Sequence, residues 1–574
     1  MIPKLLSLLE KSQFKNKWLI LFYFLFINLP LIILTFDTAN FSDDFQYTNL
    51  WVIKARFSSL FPLIFEPIGG DAQGGHFVPV HSLFKYFITL LTIDPRFFHL
   101  MVLLGHVLTA FFVYLIVMEL LEDNGLALGA GTFYTVNYYI GFKALMWNIF
   151  HAHATNTLTG AISLYFLLRY IRHPRPHSII ACCFFFVLTV LNFESGFVFL
   201  PVLWITLLYF GMKKKITYKR MSFIVLGLAV LWLSYPVGSY LTVQKGIPIA
   251  RRLTNPRNIQ NYAFAANKLL IHSTGLSIYY NKGIYNKYKK QPQLKEAMIK
   301  LIRGNDLSAL REIPPEFLAG LITLGLLTIA AAGFWVFMIC TRIRPEIRLV
   351  VWFFIALFFM YIFVFYRVDV ANALALFTSI LLAEILGSLL RDRNRIFQKI
   401  GIFFLIVYAG ATLWSLADRF EDSYQESFWS LTPVALKGPE RVYREMNAAI
   451  GHFAQNGIIL FTHDYSPYQR TVGFERIGDL ISIEDFVCYN ATIFYPDLLK
   501  TSLTETFRHE PFHKFYRYLY HLPNNRRVTV NSLDEAIDFV KAKDIDLSQV
   551  DAVYLSPDYK VIYLNKLWGT SYRY

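Results

Sequence analysis

Apolar residues gather along this chain in long runs, separated by short polar turns that hold most of the charge. The runs lie at 18–36, 97–121, 125–144, 150–170, 178–192, 196–210, 221–243, 317–340, 347–365, 370–390 and 397–417, eleven in all. A hydrocarbon core of about 30 Å is crossed by about 20 helical residues rising 1.5 Å each. The pattern predicts a polytopic α-helical membrane protein with about eleven transmembrane helices over residues 1–417. After 418 the apolar runs shorten to "GIILF", "AVYL" and "KVIYL" and alternate with polar helical stretches such as "LDEAIDFVKAK". That pattern predicts a small extracytoplasmic mixed α/β domain over 418–574.

The stretch 178–210 decides the topology. As one helix it would be about 50 Å long and would bury Asn192 and Glu194 in mid-membrane. Split at "NFESG", it becomes two short helices with Glu194 at a membrane surface. Short cytoplasmic loops carry the excess of Lys and Arg. With the N-terminus inside and the split made, "RHPRPH", "GMKKKITYKR", "TRIRPEIR" and "RDRNR" all face the cytoplasm. Without the split, the last three would face out. The split therefore places the loop 37–96, the "NFESG" turn, the loop 244–316, the "YRVDV" turn and everything after 418 on the outer face. The loop 244–316 holds 13 Lys and Arg against 4 acids, but loops longer than about 60 residues escape the charge rule.

Composition agrees with this frame, at 55% hydrophobic, 17% aromatic and 17% charged. Lys4, Lys11, Lys15 and Lys17 precede the first run and no convincing small-residue cleavage site follows it, so it reads as a retained helix anchored in the plasma (inner) membrane. The four cysteines are Cys182, Cys183, Cys340 and Cys488. Their positions suggest neither a disulfide framework nor a zinc site. The net charge of +15 lies largely in loops beside the membrane, which points to lipids as partners and not to nucleic acid.

Six ionisable residues from separate parts of the chain fall on the predicted outer face: Asp43, Asp44, His76, Glu194, Arg367 and Asp369. Ionisable groups in or beside a span are costly to keep and mark function by default, although a snorkelling Arg367 paired with Asp369 would also account for those two. Asp43 and Asp44 can share a proton as a general base, jointly hold a divalent cation, or form a solvated loop end. His99, His106, His151 and His153 lie on or beside helices and fit hydrogen bonding within the bundle better than ligation.

The acidic pair after the first helix, then "GGHFVPVHSLFKYFI", "DPRFFHLMVLLGHVLTAFFVYLIVMELL", "NFESGFVFLPVLWI" and "YRVDVANALALFTSILLAEIL", resembles in order the GT-C class of polyprenyl-phosphate-sugar glycosyltransferases. The similarity is greatest to the protein O-mannosyltransferase-like branch. Where that branch often has Arg before the proline, this chain has His76 and Val78; where a Lys often precedes the acid, it has Phe193. The resemblance implies a membrane enzyme that moves a sugar from a polyprenyl phosphate donor to a hydroxyl of an extracytoplasmic glycan, lipid or protein acceptor. It implies Asp43 or Asp44 as the base, Arg367 as the phosphate contact, and His76, Glu194 and Asp369 as further substrate contacts. No cofactor and no metal site is expected; a divalent cation at the acidic pair, Asp43 and Asp44, stays an open alternative from the chemistry of paired carboxylates. The competing expectations are a lipid-linked oligosaccharide flippase, polymerase or ligase, or a non-catalytic membrane scaffold.

Overall fold

A computed structural model describes residues 17–35, 77–91, 95–137, 151–243, 307–313, 343–365, 372–422, 458–462, 526–548, 550–555 and 561–567, with isolated residues elsewhere between 269 and 341. The chain divides into two compact units. One comprises Met1–Thr35, Leu100–Leu145 and Phe150–Phe420; the other comprises Phe36–His99, Met146–Ile149 and Glu421–Tyr574.

The first unit is a helical bundle. It opens with α1 (Lys17–Ile27) and α2 (Leu29–Thr35). The break falls where Asn28 donates its side-chain amide to the Phe24 carbonyl at 3.0 Å and Pro30 supplies no backbone N–H. In the second unit, α3 (Pro79–Leu91) is an amphipathic helix inside what the sequence reads as an outer loop. Helix α4 (Pro95–Leu121) enters the bundle from Leu100 onward. Then follow α5 (Asn124–Thr135), α6 (His151–Arg172), α7 (Pro176–Asn192), a 3₁₀ turn (Glu194–Val198), α8 (Phe199–Met212) and α9 (Tyr218–Val243). After them come α10 (Arg348–Phe359) with a π turn (Met360–Phe365), α11 (Asn372–Arg391) and α12 (Arg395–Asp422).

Local chemistry sets these boundaries. Asp123 caps α5 by accepting from the Leu126 N–H at 2.9 Å, and Pro176 starts α7, where a missing N–H costs nothing. Small residues then let the helices close on one another. Gly160 of α6 lies under the Phe199 ring of α8 with no room for a Cβ, and a Cβ on Gly129 of α5 would rest 3.6 Å from Ala383 of α11.

Five described helical stretches are long and apolar enough to cross a membrane: Phe97–Leu121, Glu194–Met212, Tyr218–Leu241, Asn372–Arg391 and Arg395–Leu413. Shorter apolar helices cover Lys17–Ile27, Pro176–Asn192 and Arg348–Ile362. Only 11% of the α9 window and 6% of the α12 window is buried, so these two present apolar side chains outward, as lipid-facing helices do. The split of 178–210 at "NFESG" is present as the junction of α7, the 3₁₀ turn and α8. Helix α6 fills the run 150–170, but its first half, "HAHATNTLTG", is polar and turned into the bundle. The run 317–340 lies almost wholly outside the described residues.

The second unit also contains a four-stranded sheet. Its strands are β1 (Ile458–Thr462), β2 (Arg526–Thr529), β3 (Asp551–Leu555) and β4 (Val561–Tyr563), with helix α13 (Leu533–Ala542) between β2 and β3 and a short α14 (Leu564–Leu567) after β4. The order is β2-β1-β3-β4, with β1 parallel to both neighbours and β4 antiparallel to β3. Ile459, Phe461, Ala552 and Tyr554 bury against Ala536 and Val540 of α13. Ser532 caps α13 by accepting from the Glu535 N–H at 3.1 Å, while the Glu535 carboxylate accepts from the Asn531 N–H. Asn565 is fully buried, accepting from the Ala552 N–H at 2.7 Å and donating to the Leu547 and Val550 carbonyls.

Candidate functional site

Glu194 opens the 3₁₀ turn between α7 and α8 and is buried, with 6% of its surface exposed. Phe193, just before it, is fully extended, which ends α7 and frees its carbonyl. Asn156 of α6 reaches across to that carbonyl: its Nδ2 donates to Phe193 O at 3.1 Å and to Ser195 Oγ at 2.9 Å. Its Oδ1 accepts from Asn192 Nδ2 at 2.6 Å. One amide therefore spends both protons and its oxygen on the turn, the full complement a buried amide needs. His153, one helical turn before Asn156, places Nδ1 3.0 Å from Ser195 Oγ and sets its ring edge-on to Phe193. Thr189 donates to Thr159 at 2.8 Å and carries the polar seam deeper between α6 and α7.

On the other side, α9 supplies Tyr235. Its ring meets Phe197 at right angles, with centroids 4.8 Å apart, and its hydroxyl lies close enough to the Glu194 carboxylate for the two to interact electrostatically. Trp232, one turn earlier, packs against Phe197 with the rings tilted and their centroids 5.2 Å apart. The turn is thus held by an amide and an imidazole from α6 and by aromatic rings from α9. Gly196 makes that grip possible, because a Cβ there would strike the Thr189 carbonyl. Chemically, a carboxylate placed this way accepts from hydroxyl donors and repels phosphate, so Glu194 suits a sugar hydroxyl better than a lipid phosphate.

Of the sequence-predicted site residues, Glu194 is the one that falls among the described residues. Asp43, Asp44, His76, Arg367 and Asp369 lie outside them, and with the acidic pair goes any cation bound there. Sequence reasoning missed Asn156, Ser195 and Tyr235. Their partners are 36 to 42 positions away along the chain or on another helix, and no local spacing announces such contacts. It also missed Lys85 of α3, which is almost fully buried with Nζ 4.6 Å above the Phe98 ring in the second unit, near the buried His81 and His99 in sequence. The available signal was the four-residue spacing of His81 and Lys85 on one face of an amphipathic helix.

The opposite end of the bundle carries a separate ionic cluster. Arg344 grips Glu384 of α11 through Nε and Nη2, the shorter contact being 2.7 Å, and reaches Asp123 at 3.1 Å. Arg391 joins Asp123 at 3.0 Å, and Arg172 pairs with Glu122 at 2.7 Å. Burial opposes ionisation of Asp123, but the Leu126 N–H, Arg391 and Arg344 outweigh it and hold the carboxyl below its usual range. The cluster joins the α4–α5 turn, the end of α6, the segment before α10 and the end of α11.

No protein-family model and no curated protein matches the chain. Among solved structures it is similar to the oligosaccharyltransferase of Archaeoglobus fulgidus in its apo form, at 13% identity and a TM-score of 0.43, over 81% of this chain and 65% of that one. The chain therefore spans about 65% of the length of that structure.

Proposed function

We propose that this chain is a GT-C-like membrane glycosyltransferase that moves a sugar from a polyprenyl phosphate donor to an acceptor hydroxyl outside the cytoplasm. The observation that carries the reading is Glu194, a carboxylate buried at the end of an apolar span in a turn that is packed between two other helices. An ionisable group kept at such a place is costly. The order of motifs around it, from the acidic pair to the "YRVDV" turn, supports the same class.

In the proposed step the acceptor oxygen attacks the anomeric carbon as the bond from that carbon to the phosphate oxygen breaks. The phosphate leaves with the bonding electron pair, and the acceptor proton passes to a carboxylate. Polyprenyl phosphate is a stable anion, so the leaving group needs a cation beside it and no acid. Arg367 fits that role, since a guanidinium stays charged and matches phosphate oxygens in pairs. Asp43 and Asp44 serve as the base, acting as a pair whose titration is shared. Glu194 orients a sugar hydroxyl, with Tyr235 beside its carboxylate.

The test uses membranes containing the protein, polyprenyl phosphate charged with several radiolabelled sugars, and a crude envelope acceptor. Wild type is compared with Asp43→Asn, Asp44→Asn and Glu194→Gln. Label should leave one donor in wild type, stop leaving it when the acidic pair is neutralised, and leave it with a raised KM in Glu194→Gln. Consumption of no donor, or transfer by the Asn variants at the wild-type rate, would sink the reading.

A further inference from the structure

Some cations at the ionic end of the bundle are ion-paired, and others, Arg175, Arg348, Arg393 and Arg395 among them, form no ion pair with any described residue. Arg172, Arg344 and Arg391 are ion-paired with Glu122, Asp123 and Glu384. Lys213, Lys214, Lys215, Lys219 and Arg220, in the turn joining α8 to α9, are exposed and form no ion pair with any described residue. Glu346 is close enough to act on the Tyr209 hydroxyl, yet it pairs with none of the five.

Helix electrostatics account for only part of this patch. Lys213, Lys214 and Lys215 follow the C-terminus of α8, where the helix dipole favours positive charge. Lys219 and Arg220 are in the first turn of α9, where the dipole disfavours it and no acidic residue offsets them. The turn itself is held tight, with the Lys214 and Lys215 N–H groups donating to Gly211 and Phe210 carbonyls at 2.9 Å. Lys214 takes a left-handed φ of 54°, a conformation that ordinarily selects glycine. Immediately beyond Lys219, α9 shows an outward stripe at helical spacing: Phe223, Leu226, Val230, Leu233, Val237 and Leu241, each about half exposed or more. A concentrated, unpaired positive patch at the foot of an exposed apolar stripe has the shape of an amphiphile in negative, with anion at the head and hydrocarbon along the tail.

We infer that the α8–α9 turn is a binding site for an anionic phospholipid, with the headgroup phosphate held by Lys213, Lys214, Lys215, Lys219 and Arg220 and an acyl chain lying along the Phe223–Leu233 part of the exposed face of α9, about 15 Å long and so the depth of one leaflet. The site is independent of the catalytic proposal and lies at the end of the bundle away from Glu194.

The experiment titrates the full chain in detergent with phosphatidylglycerol or with phosphatidylcholine of the same acyl length and counts retained lipids by native mass spectrometry. Wild type should retain phosphatidylglycerol preferentially, and the preference should fall as salt rises. Replacing the five cations together with Gln should weaken phosphatidylglycerol retention roughly tenfold or more. The variant Lys541→Gln/Lys543→Gln, which neutralises exposed lysines on α13, should leave it unchanged. Equal retention of the two lipids by wild type overturns the inference even if the five-fold variant does not fold. So does wild-type retention by a folded five-fold variant. Displacement by glycerol 3-phosphate at matched concentration would mean the patch takes free phosphate esters, which also overturns the lipid assignment.

Discussion

At residue scale, the "NFESG" turn shows what each side chain is for. Gly196 packs its Cα against the Thr189 carbonyl, so Gly196→Ala forces backbone apart. The expected cost is about 1–3 kcal/mol, read as a lower melting temperature in detergent; an unchanged melt would mean that α7 and α8 can part there at no cost. Tyr235 and Glu194 are expected to be coupled. In a double-mutant cycle with Tyr235→Phe and Glu194→Gln, the two effects on the unfolding free energy should differ from additivity by about 0.5–3 kcal/mol, and strict additivity would remove Tyr235 as a partner of the carboxylate. The sequence made Glu194 legible because a lone acid between apolar runs stands out. Asn156, Ser195 and Tyr235 were not legible, because their value comes from meeting across helices, and a polar residue in a helical run looks the same whether it faces a partner or a carbonyl of its own turn.

At the scale of elements, apolar length found most helices, and basic turns chose the break at "NFESG" that separates α7 from α8. Helix α3 was missed because its 13 residues are too few for a span and its amphipathic face sits inside a loop. The helix ends at the ionic cluster depend on Arg344. Its removal leaves Glu384, whose side chain is 4% exposed, without its bidentate partner. Arg344→Met should cost about 2–3 kcal/mol, below the full penalty for a buried pair because the Arg344 side chain is 34% exposed. Adding Glu384→Leu should restore most of the loss, and failure to restore it would show that Arg344 acts through Asp123 instead. The acid response has a definite sign. Asp123 has a folded-state pKa held below the ordinary aspartate value, so its contribution is present above about pH 4 and is lost as pH falls through the lower folded value. Melting temperature should fall in that acid window, and Asp123→Asn should flatten the fall; an equally steep fall in the variant would place the acid sensitivity elsewhere.

At the scale of the whole bundle, the ionic cluster constrains topology in a way the charge rule alone does not. Ion pairs between Arg172 and Glu122, and from Asp123 to both Arg344 and Arg391, require the turns bearing these residues to share one side of any membrane the helices cross. Had 178–210 been a single span, the turn at 171–177 and the turns at 341–347 and 391–395 would lie on opposite sides, and these contacts could not form. Helix α9 then carries the chain away from the shared side over 26 residues, about 39 Å at 1.5 Å each, which is enough to cross. In a cysteine-free background, single cysteines at the exposed positions His173, Lys215 and Arg393, and the native exposed Cys340, should therefore all react with a membrane-impermeant maleimide added to the same face of sealed vesicles. Leu241→Cys should react from the other face. Since short basic turns stay in the cytoplasm, the shared face should be the cytoplasmic one. Labelling of any of the four from the face that labels position 241 would break the bundle's internal consistency, whereas a uniform reversal of all five would keep the fold and invert the orientation, moving Glu194 to the cytoplasmic side and with it the basis for an extracytoplasmic sugar transfer.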